Sequence, residues 1–329
     1  MQMLFVLKIV FFAVNLAIFF IKPSVCSVTE ILQNTELANV FKAMITSPRS
    51  IIENYLANAE EVAPKRKMPE KPVYISLASI PEIDARAVSV IDMASGAILY
   101  AKNDSTAMPI ASLTKMMTAL IVAERGFDQN EIIKIEASDR VGGNIEYFLP
   151  GDEVRFYDLL AASLVASSNT ATNVIAKKIG GDTFVSLMNE RAKYMHFDNT
   201  NFVDPIGLDP GNVSTVEEAA RFVALVFARP EIAEILTAKM YQITVQNTGR
   251  KIYLRNTDQL LGSDLDNGEY KIIGGKTGYI DESGYNLALR VARGRNELAI
   301  VIFGAKTDLS RFDEARKLAI WAFENFRWP

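Results

Sequence analysis

Three short motifs carry the residue types that serine acyl transfer requires when histidine takes no part. Each occurs once, in the order Ser112-Leu-Thr-Lys115, Ser167-Ser-Asn169 and Lys276-Thr-Gly278. A serine hydroxyl is a weak nucleophile until a neighbouring base takes its proton, and a neutral lysine amine is such a base. Together the motifs predict one active site, in which Ser112 attacks a carbonyl carbon and forms an acyl-enzyme.

The first motif lies at the start of a helical pattern. Apolar residues recur at helical spacing after Ser112, and the pattern stops at Gly126. Residues three apart share a helix face, so the Lys115 amine is expected one turn beyond the serine hydroxyl. The start of a helix also stabilises nearby negative charge. An ordinary capping serine followed by a solvated lysine has the same spacing, so this motif alone does not establish catalysis.

The second motif separates two apolar segments. The pattern predicts a buried helix over Phe156–Val165 and a second helix from about Thr170 to Ile179. We expect Ser167 to relay a proton between Lys115 and a leaving amine, and Asn169 to hold a substrate amide. The alternative is a loop that merely caps the second helix.

The third motif lies in a predicted antiparallel meander. Strands are expected over residues 270–279, 285–292 and 297–303, the last two joined by a hairpin turn. Gly275 and Gly278 leave room for a peptide backbone, so an extended substrate is expected to add to this sheet as a further strand.

Each residue of the third motif receives a predicted role in binding. Lys276 supplies positive charge, Thr277 offers a hydroxyl to a substrate carboxylate, and Gly278 leaves space for the substrate. The backbone N–H of Tyr279, together with that of Ser112, is expected to stabilise the oxyanion. The alternative is a glycine-rich strand with an exposed lysine.

The composition excludes several other classes of protein. With 329 residues, 49% of them hydrophobic, the chain is long enough to bury a sizeable core. The net charge is −4, and no long basic stretch suggests binding of nucleic acid. His196 and Cys26 are the only residues of their types, which excludes a two-histidine metal site and a disulfide framework. We therefore expect no metal and no cofactor.

The N-terminus has the pattern of an export signal. Residues 1–26 contain Lys8, an apolar run and small residues before a possible cleavage point. A cleaved signal peptide and an uncleaved membrane anchor both fit, and both place the rest of the chain outside the cytoplasm. Residues 27–79 are expected to be an extension with a proline-rich linker. The catalytic domain is predicted at residues 80–329 and begins with a strand–turn–strand pattern.

The segments around the motifs closely resemble low-molecular-mass penicillin-binding proteins of the D-alanyl-D-alanine carboxypeptidase family. The resemblance covers about residues 80–329 and implies an α+β, penicilloyl-serine transferase (β-lactamase-like) fold. In that fold an antiparallel sheet, built from the N-terminal hairpin and the C-terminal meander, is flanked by helices and carries a helical lobe. The segments are Pro109–Met117, Leu164–Asn169, Gly207–Thr215 and Gly275–Leu287.

The resemblance also implies a function. Members trim peptidoglycan stem peptides that end in D-Ala-D-Ala, and β-lactam antibiotics inhibit them covalently. A closing helix is expected over residues 311–326. Arg311, its first residue, matches an arginine that family members place near the substrate carboxylate. The alternative is that Arg311 forms only a salt bridge at the start of this helix. Many members continue past the catalytic domain into a further β-rich domain, whereas this chain ends at Pro329. Shorter relatives that act as D,D-endopeptidases also end after the catalytic domain. Endopeptidase activity therefore stays open.

A β-lactamase shares the fold and the motifs but needs a base, typically glutamate, that activates water on the acyl-enzyme. No E-x-x-x-N pattern occurs between Asn169 and Lys276; Glu190, for example, is followed four residues later by Tyr194. The sequence therefore favours a peptidase over a β-lactamase. A non-catalytic cell-wall-binding protein that keeps the fold is disfavoured by the intact Ser112, Lys115 and Lys276.

Overall fold

The computed structural model describes residues 69–75 and 78–329 of the chain. The strands, in chain order, are β1 (Val73–Tyr74), β2 (Ala87–Asp92), β3 (Ile98–Lys102), β4 (Met108–Pro109), β5 (Ile132–Lys134), β6 (Glu153–Arg155), β7 (Val213–Ser214), β8 (Met240–Thr244), β9 (Lys251–Arg255), β10 (Tyr270–Ile280), β11 (Gly284–Arg293), β12 (Asn296–Ala305) and β13 (Phe326–Arg327). The α-helices are α1 (Thr114–Arg125), α2 (Phe156–Val165), α3 (Asn169–Gly180), α4 (Phe184–Tyr194), α5 (Val216–Phe227), α6 (Pro230–Thr237) and α7 (Asp308–Asn325).

Five strands form the central antiparallel sheet, in the order β10-β11-β12-β2-β3. The predicted meander and N-terminal hairpin are both confirmed, and the hairpin pairs with the meander through β2 and β12. Because successive side chains of a strand point to opposite faces, β12 contributes to two separate cores. Ile300 and Ile302 pack towards Leu318 of α7, whereas Ala299 and Val301 belong to the core of the helical lobe.

The helical lobe is formed by α1 to α6 between the two parts of the sheet. Helix α2 has the predicted bounds, Phe156–Val165, and nine of its ten residues are buried because its sequence is apolar on every side. Helix α1 ends at Arg125 and is followed by Gly126, whose φ of +74° suits glycine best. These two helices and α3 place the first two motifs on neighbouring elements.

Both ends of the described chain meet beside α7. Val73 pairs with Arg327, and Tyr74 pairs with Phe326, ahead of the predicted domain start at residue 80. The closing helix begins at Asp308, three residues earlier than predicted, because Thr307 accepts a hydrogen bond from the Ser310 N–H and caps it. The predicted signal or anchor and most of the extension lie outside the described residues. None of the described helices is both long and apolar enough to cross a bilayer.

Candidate active site

The first motif places a serine beside a lysine at the start of α1. Ser112 lies in a 3₁₀ turn, Ala111–Leu113, that leads directly into the helix. Lys115 Nζ donates a hydrogen bond to Ser112 Oγ at 2.8 Å, and no side chain caps α1. Ser112 is therefore a partner of Lys115 and not a capping serine. Ala111 has a φ of +49°, a strained conformation of the kind found at functional sites.

The amine of Lys115 is enclosed by protein. The side chain has no exposed surface, and Nζ also donates to Asn169 Oδ1 at 2.9 Å and to the Ile206 carbonyl at 2.7 Å. Burial disfavours the charged form and lowers the pKa of Lys115 to about 7, while the negative charge of Asp204 acts in the opposite direction. A substantial fraction of the amine is therefore neutral near neutral pH.

Ser167 is held by the third motif instead of the first. Lys276 Nζ donates to Ser167 Oγ at 2.8 Å and to the Thr277 carbonyl at 2.8 Å. Burial, followed by repulsion from Lys115 and Arg311, holds the pKa of Lys276 well below its usual range. Ser167 has a φ of +56°, so its conformation is strained as well. The relay between Ser167 and Lys115 is not a direct contact in this structure and stays a prediction.

The other two residues of the second motif have separate tasks. Ser168 caps α3 by accepting a hydrogen bond from the Ala171 N–H. The loop therefore does cap the helix that follows it, which was the alternative interpretation of the second motif. Asn169 accepts from Lys115 through Oδ1 and donates to the Gly142 carbonyl at 2.7 Å through Nδ2. Each end of its amide thus has one partner in the protein and retains a second hydrogen-bonding position, and Asn169 helps to hold the lysine amine. Its predicted contact with a substrate amide remains untested.

Strand β10 packs directly against the turn that carries the serine. A Cβ at Gly278 would lie 2.9 Å from the Ile110 carbonyl oxygen and 3.0 Å from the Ser112 nitrogen. Only glycine permits this approach, which brings the first and third motifs together. Thr277 Oγ1 donates to Thr257 Oγ1 at 2.7 Å. The ring of Tyr279 is half exposed and stacks on Tyr285.

The motifs surround one cleft of about 680 Å³. Lys115 and Lys276 are buried behind its wall. Among the described residues, the one carboxylate in the lining belongs to Asp308. The predicted residues in the lining are Ser112, Ser167, Asn169, Thr277, Gly278, Tyr279 and Arg311; the lining also includes Gly143, Asn144, Ile145, Tyr147, Ala166, Leu208, Arg255, Asn256, Thr257 and Gln259. None of the three motifs includes a residue of this second group, although Ala166 and Leu208 lie in segments that carry the family resemblance.

Arg311 forms the helix-start ion pair that was the alternative to a binding role, and it also lies in the cleft lining. Its partner in this ion pair is Asp308. One terminal nitrogen donates to the carbonyls of Gly278 and Asn286 at 3.1 and 3.3 Å. The arginine therefore fixes the backbone of the third motif from behind, with 6% of its surface exposed. Its role in binding a substrate carboxylate stays a prediction.

The structure does not bring His196 to this site. The residue follows α4, is exposed and does not line the cleft. Within residues 69–75 and 78–329, no group of three or more His, Cys, Asp or Glu side chains is placed to hold a metal ion. The chemistry visible in the cleft is that of serine, lysine and hydrogen-bond donors.

Comparison with known proteins decides the family. The family described as D-alanyl-D-alanine carboxypeptidase matches residues 75–307. The chain belongs to this family. It is 34% identical over 265 residues to the D-alanyl-D-alanine carboxypeptidase DacC of Escherichia coli K12, covering 75% of this chain and 63% of that relative. It is also 28% identical over 248 residues to a D-alanyl-D-alanine endopeptidase of the same organism, covering 74% of this chain and 79% of that relative.

A solved structure gives the same fold. Penicillin-binding protein D2 from Listeria monocytogenes, crystallised in an ampicillin-bound form, superposes with a TM-score of 0.66 at 28% identity. The match covers 75% of this chain and all of that one. The predicted penicilloyl-serine transferase fold is thereby confirmed for this low-molecular-mass penicillin-binding protein.

Proposed function

We propose that the protein is a serine-type D-alanyl-D-alanine carboxypeptidase that trims peptidoglycan stem peptides through an acyl-enzyme on Ser112. The observation that carries this proposal is the 2.8 Å contact between Lys115 Nζ and Ser112 Oγ. Burial lowers the pKa of this lysine to about 7. The amine is therefore poised to accept the serine proton near neutral pH, which is what a general base requires.

The reaction proceeds in two stages. Neutral Lys115 takes the hydroxyl proton as Ser112 attacks the carbonyl between two D-alanines, and the Ser112 and Tyr279 N–H groups stabilise the oxyanion. A proton passes through Ser167, which Lys276 orients by hydrogen bonding, to the leaving amine as the peptide bond breaks. Water then hydrolyses the ester and releases the shortened peptide and the free serine.

The position of β10 supports the binding mode. This strand forms one edge of the central sheet, so an extended peptide is able to pair with its free backbone groups. The terminal carboxylate then lies near Thr277 and Arg311, and Asn169 contacts a substrate amide from the opposite wall.

A D,D-endopeptidase that cuts peptidoglycan cross-links is the second candidate. Both reactions break the bond after a D-alanine, so the same catalytic groups serve them. One relative at 28% identity carries the endopeptidase name, and the open cleft admits a larger leaving group. A β-lactamase is disfavoured because Asp308, the one carboxylate among the described lining residues, is paired with Arg311.

The remaining parts of the proposal concern the setting of the enzyme. β-Lactam antibiotics act as covalent inhibitors, which the ampicillin-bound relative supports. The protein is exported and acts in cell-wall organisation and cell shape outside the cytoplasm, in the periplasm where one exists. Residues 1–26 act as signal peptide or membrane attachment, residues 27–79 as an extension, and residues 80–329 as the catalytic domain.

The activity is tested with purified muropeptides, monomeric and cross-linked, followed by mass analysis of the products. A carboxypeptidase removes one terminal alanine from monomers, whereas an endopeptidase converts cross-linked dimers into monomers. The Ser112→Ala variant is the matched control and releases neither product. Absence of both products with the folded parent protein would contradict the proposed function.

A further inference from the structure

The two sides of the cleft differ in chemistry. On the Asn169 side the neighbours are Gly143 and the apolar Leu208, which lie next to the asparagine amide. On the Thr277 side lies the segment that follows β9. Thr257 accepts the hydrogen bond from Thr277, and its N–H donates to the Val165 carbonyl at 3.0 Å. The backbone of this segment is thus fixed at both the sheet and the helical lobe.

Arg255, the last residue of β9, brings an uncommitted positive charge to the Thr277 side. It is exposed in the cleft lining, and its guanidinium has no hydrogen-bond or ion-pair partner among the described residues. Arg311 differs, because its two terminal nitrogens bind Asp308 and two backbone carbonyls. Asp308 in turn also accepts a hydrogen bond from Gln259 at 2.9 Å. Of the charged groups in the described lining, Arg255 is therefore the one without a partner in the protein.

The chemistry of the scissile bond decides what reaches this side. In a peptide that ends in D-Ala-D-Ala, the terminal carboxylate belongs to the leaving residue. If Thr277 holds that carboxylate, the leaving group occupies the Thr277 side of the cleft, and anything larger than alanine extends beyond it. Arg255 is two residues from Thr257, so the two Cα atoms are separated by at most about 7 Å. A free alanine, with one small carboxylate, has no second anion for this arginine.

We propose that Arg255 binds a second carboxylate on the leaving group and so favours cross-linked peptides whose leaving residue carries a free carboxylate besides the one held at Thr277. This inference rests on the proposed function and deepens it. A guanidinium donates two parallel hydrogen bonds to a carboxylate, which gives direction as well as charge. Arg255 is accordingly a specificity residue. It contacts the part of the leaving group that extends beyond Thr277, and it takes no part in acyl transfer.

The test uses three synthetic substrates with the full chain. One is a monomeric pentapeptide, the second is a cross-linked dimer whose leaving residue carries a free second carboxylate, and the third is the same dimer with that carboxylate amidated. Each is measured with the parent protein, with Arg255→Gln and with Arg295→Gln. Arg295 is the matched control, because it is an exposed arginine in the β11–β12 turn and does not line the cleft.

The parent protein is expected to cleave the free-acid dimer with a kcat/KM roughly tenfold above that for the amidated dimer, the size expected for a hydrogen-bonded charge pair. Arg255→Gln removes this preference through KM and leaves the pentapeptide and the amidated dimer unchanged. Arg295→Gln behaves like the parent. The preference also shrinks as salt concentration rises.

Two outcomes would overturn the inference. One is equal cleavage of the two dimers by the parent protein, and the other is a preference that survives in Arg255→Gln. Failure of the proposed function has a different signature, because the parent protein would then release product from none of the three substrates.

Discussion

Lys276 Nζ donates a hydrogen bond to Ser167 Oγ, so two motifs that are 109 residues apart in the chain form one polar unit behind the nucleophile. Lys115 Nζ donates hydrogen bonds to Ser112 Oγ and Asn169 Oδ1. Both lysines are buried, and repulsion from Lys115 helps to lower the pKa of Lys276, which makes the neutral form of that amine easier to reach. The pair therefore connects the geometry of the site to its pH dependence.

The first prediction concerns that pH dependence. Burial lowers the pKa of Lys115 to about 7, and the base must be neutral, so acylation by penicillin should rise with pH through about 7. Wherever Lys276 carries a proton, its charge opposes that of Lys115, so Lys276→Gln should raise the pKa of Lys115 and move the rise in acylation rate to higher pH. Asp204→Asn removes a negative neighbour and moves it to lower pH. The measurement is the acylation rate of each folded variant between pH 5 and pH 9. If the rate of both variants rose over the same pH range as that of the parent, burial alone would set the pKa of Lys115.

A second prediction tests the packing behind the serine turn. Gly207 has a φ of +89°, and an added Cβ would lie 2.0 Å from the Ala111 carbonyl oxygen. Gly207→Ala should therefore lower the free energy of unfolding by at least about 2 kcal/mol and slow acylation more than tenfold, because the turn that carries Ser112 must move. Gly142→Ala is the control, since its Cβ meets nothing within 4 Å. Equal acylation rates in the two variants would contradict this packing argument.

A third prediction concerns a buried carboxyl group beneath β10. Burial raises the pKa of Asp258 to about 6, and Oδ2 has no hydrogen-bond partner in the described structure. The folded state thus retains a proton that the unfolded chain loses near pH 4. The stability this gives is complete below about pH 4 and is lost as pH rises through 6. It amounts to on the order of 3 kcal/mol.

Asp258→Asn removes that loss, because the amide stays neutral. The melting temperature of the variant relative to the parent should therefore increase between pH 4 and pH 8. Thermal unfolding followed by circular dichroism at both pH values provides the measurement. A difference that stays constant with pH would mean that Asp258 titrates normally in the folded protein.

A fourth prediction separates this chemistry from a serine–histidine mechanism. His196 lies outside the cleft, in a turn with a φ of +57° after α4. His196→Ala should keep the acylation rate within a few-fold of the parent, because no proton transfer involves the imidazole. The rate of penicillin acylation is the measurement. A loss of several orders of magnitude in a folded variant would revive the histidine mechanism.

The sequence predicted those features that depend on local periodicity and on short spacings. The bounds of α2 and the course of the β10–β12 meander follow from apolar patterns, and the Ser112–Lys115 contact follows from one helical turn. The start of α7 was missed because it depends on a side-chain cap at Thr307, which leaves no trace in the apolar pattern.

The partners of the catalytic groups were harder to predict, since they come from distant parts of the chain. The Ile206 carbonyl that accepts a hydrogen bond from Lys115 is a backbone group, and its position depends on a loop held by Asp204. The Ser167–Lys276 contact depends on how the helical lobe packs against the sheet. Arg255 and Thr257 line the cleft together with β10, to which the segment after β9 is hydrogen-bonded through Thr257 and Thr277. Spacing within a motif carries none of this information.

The most direct test of the account is the site of covalent modification by penicillin. The protein is incubated with a penicillin, digested, and mapped by mass spectrometry, in parallel with Ser112→Ala whose fold is checked by circular dichroism. We expect one penicilloyl group per chain, located on Ser112, and no adduct on the variant. A stoichiometric adduct on another residue, or on folded Ser112→Ala, would contradict it.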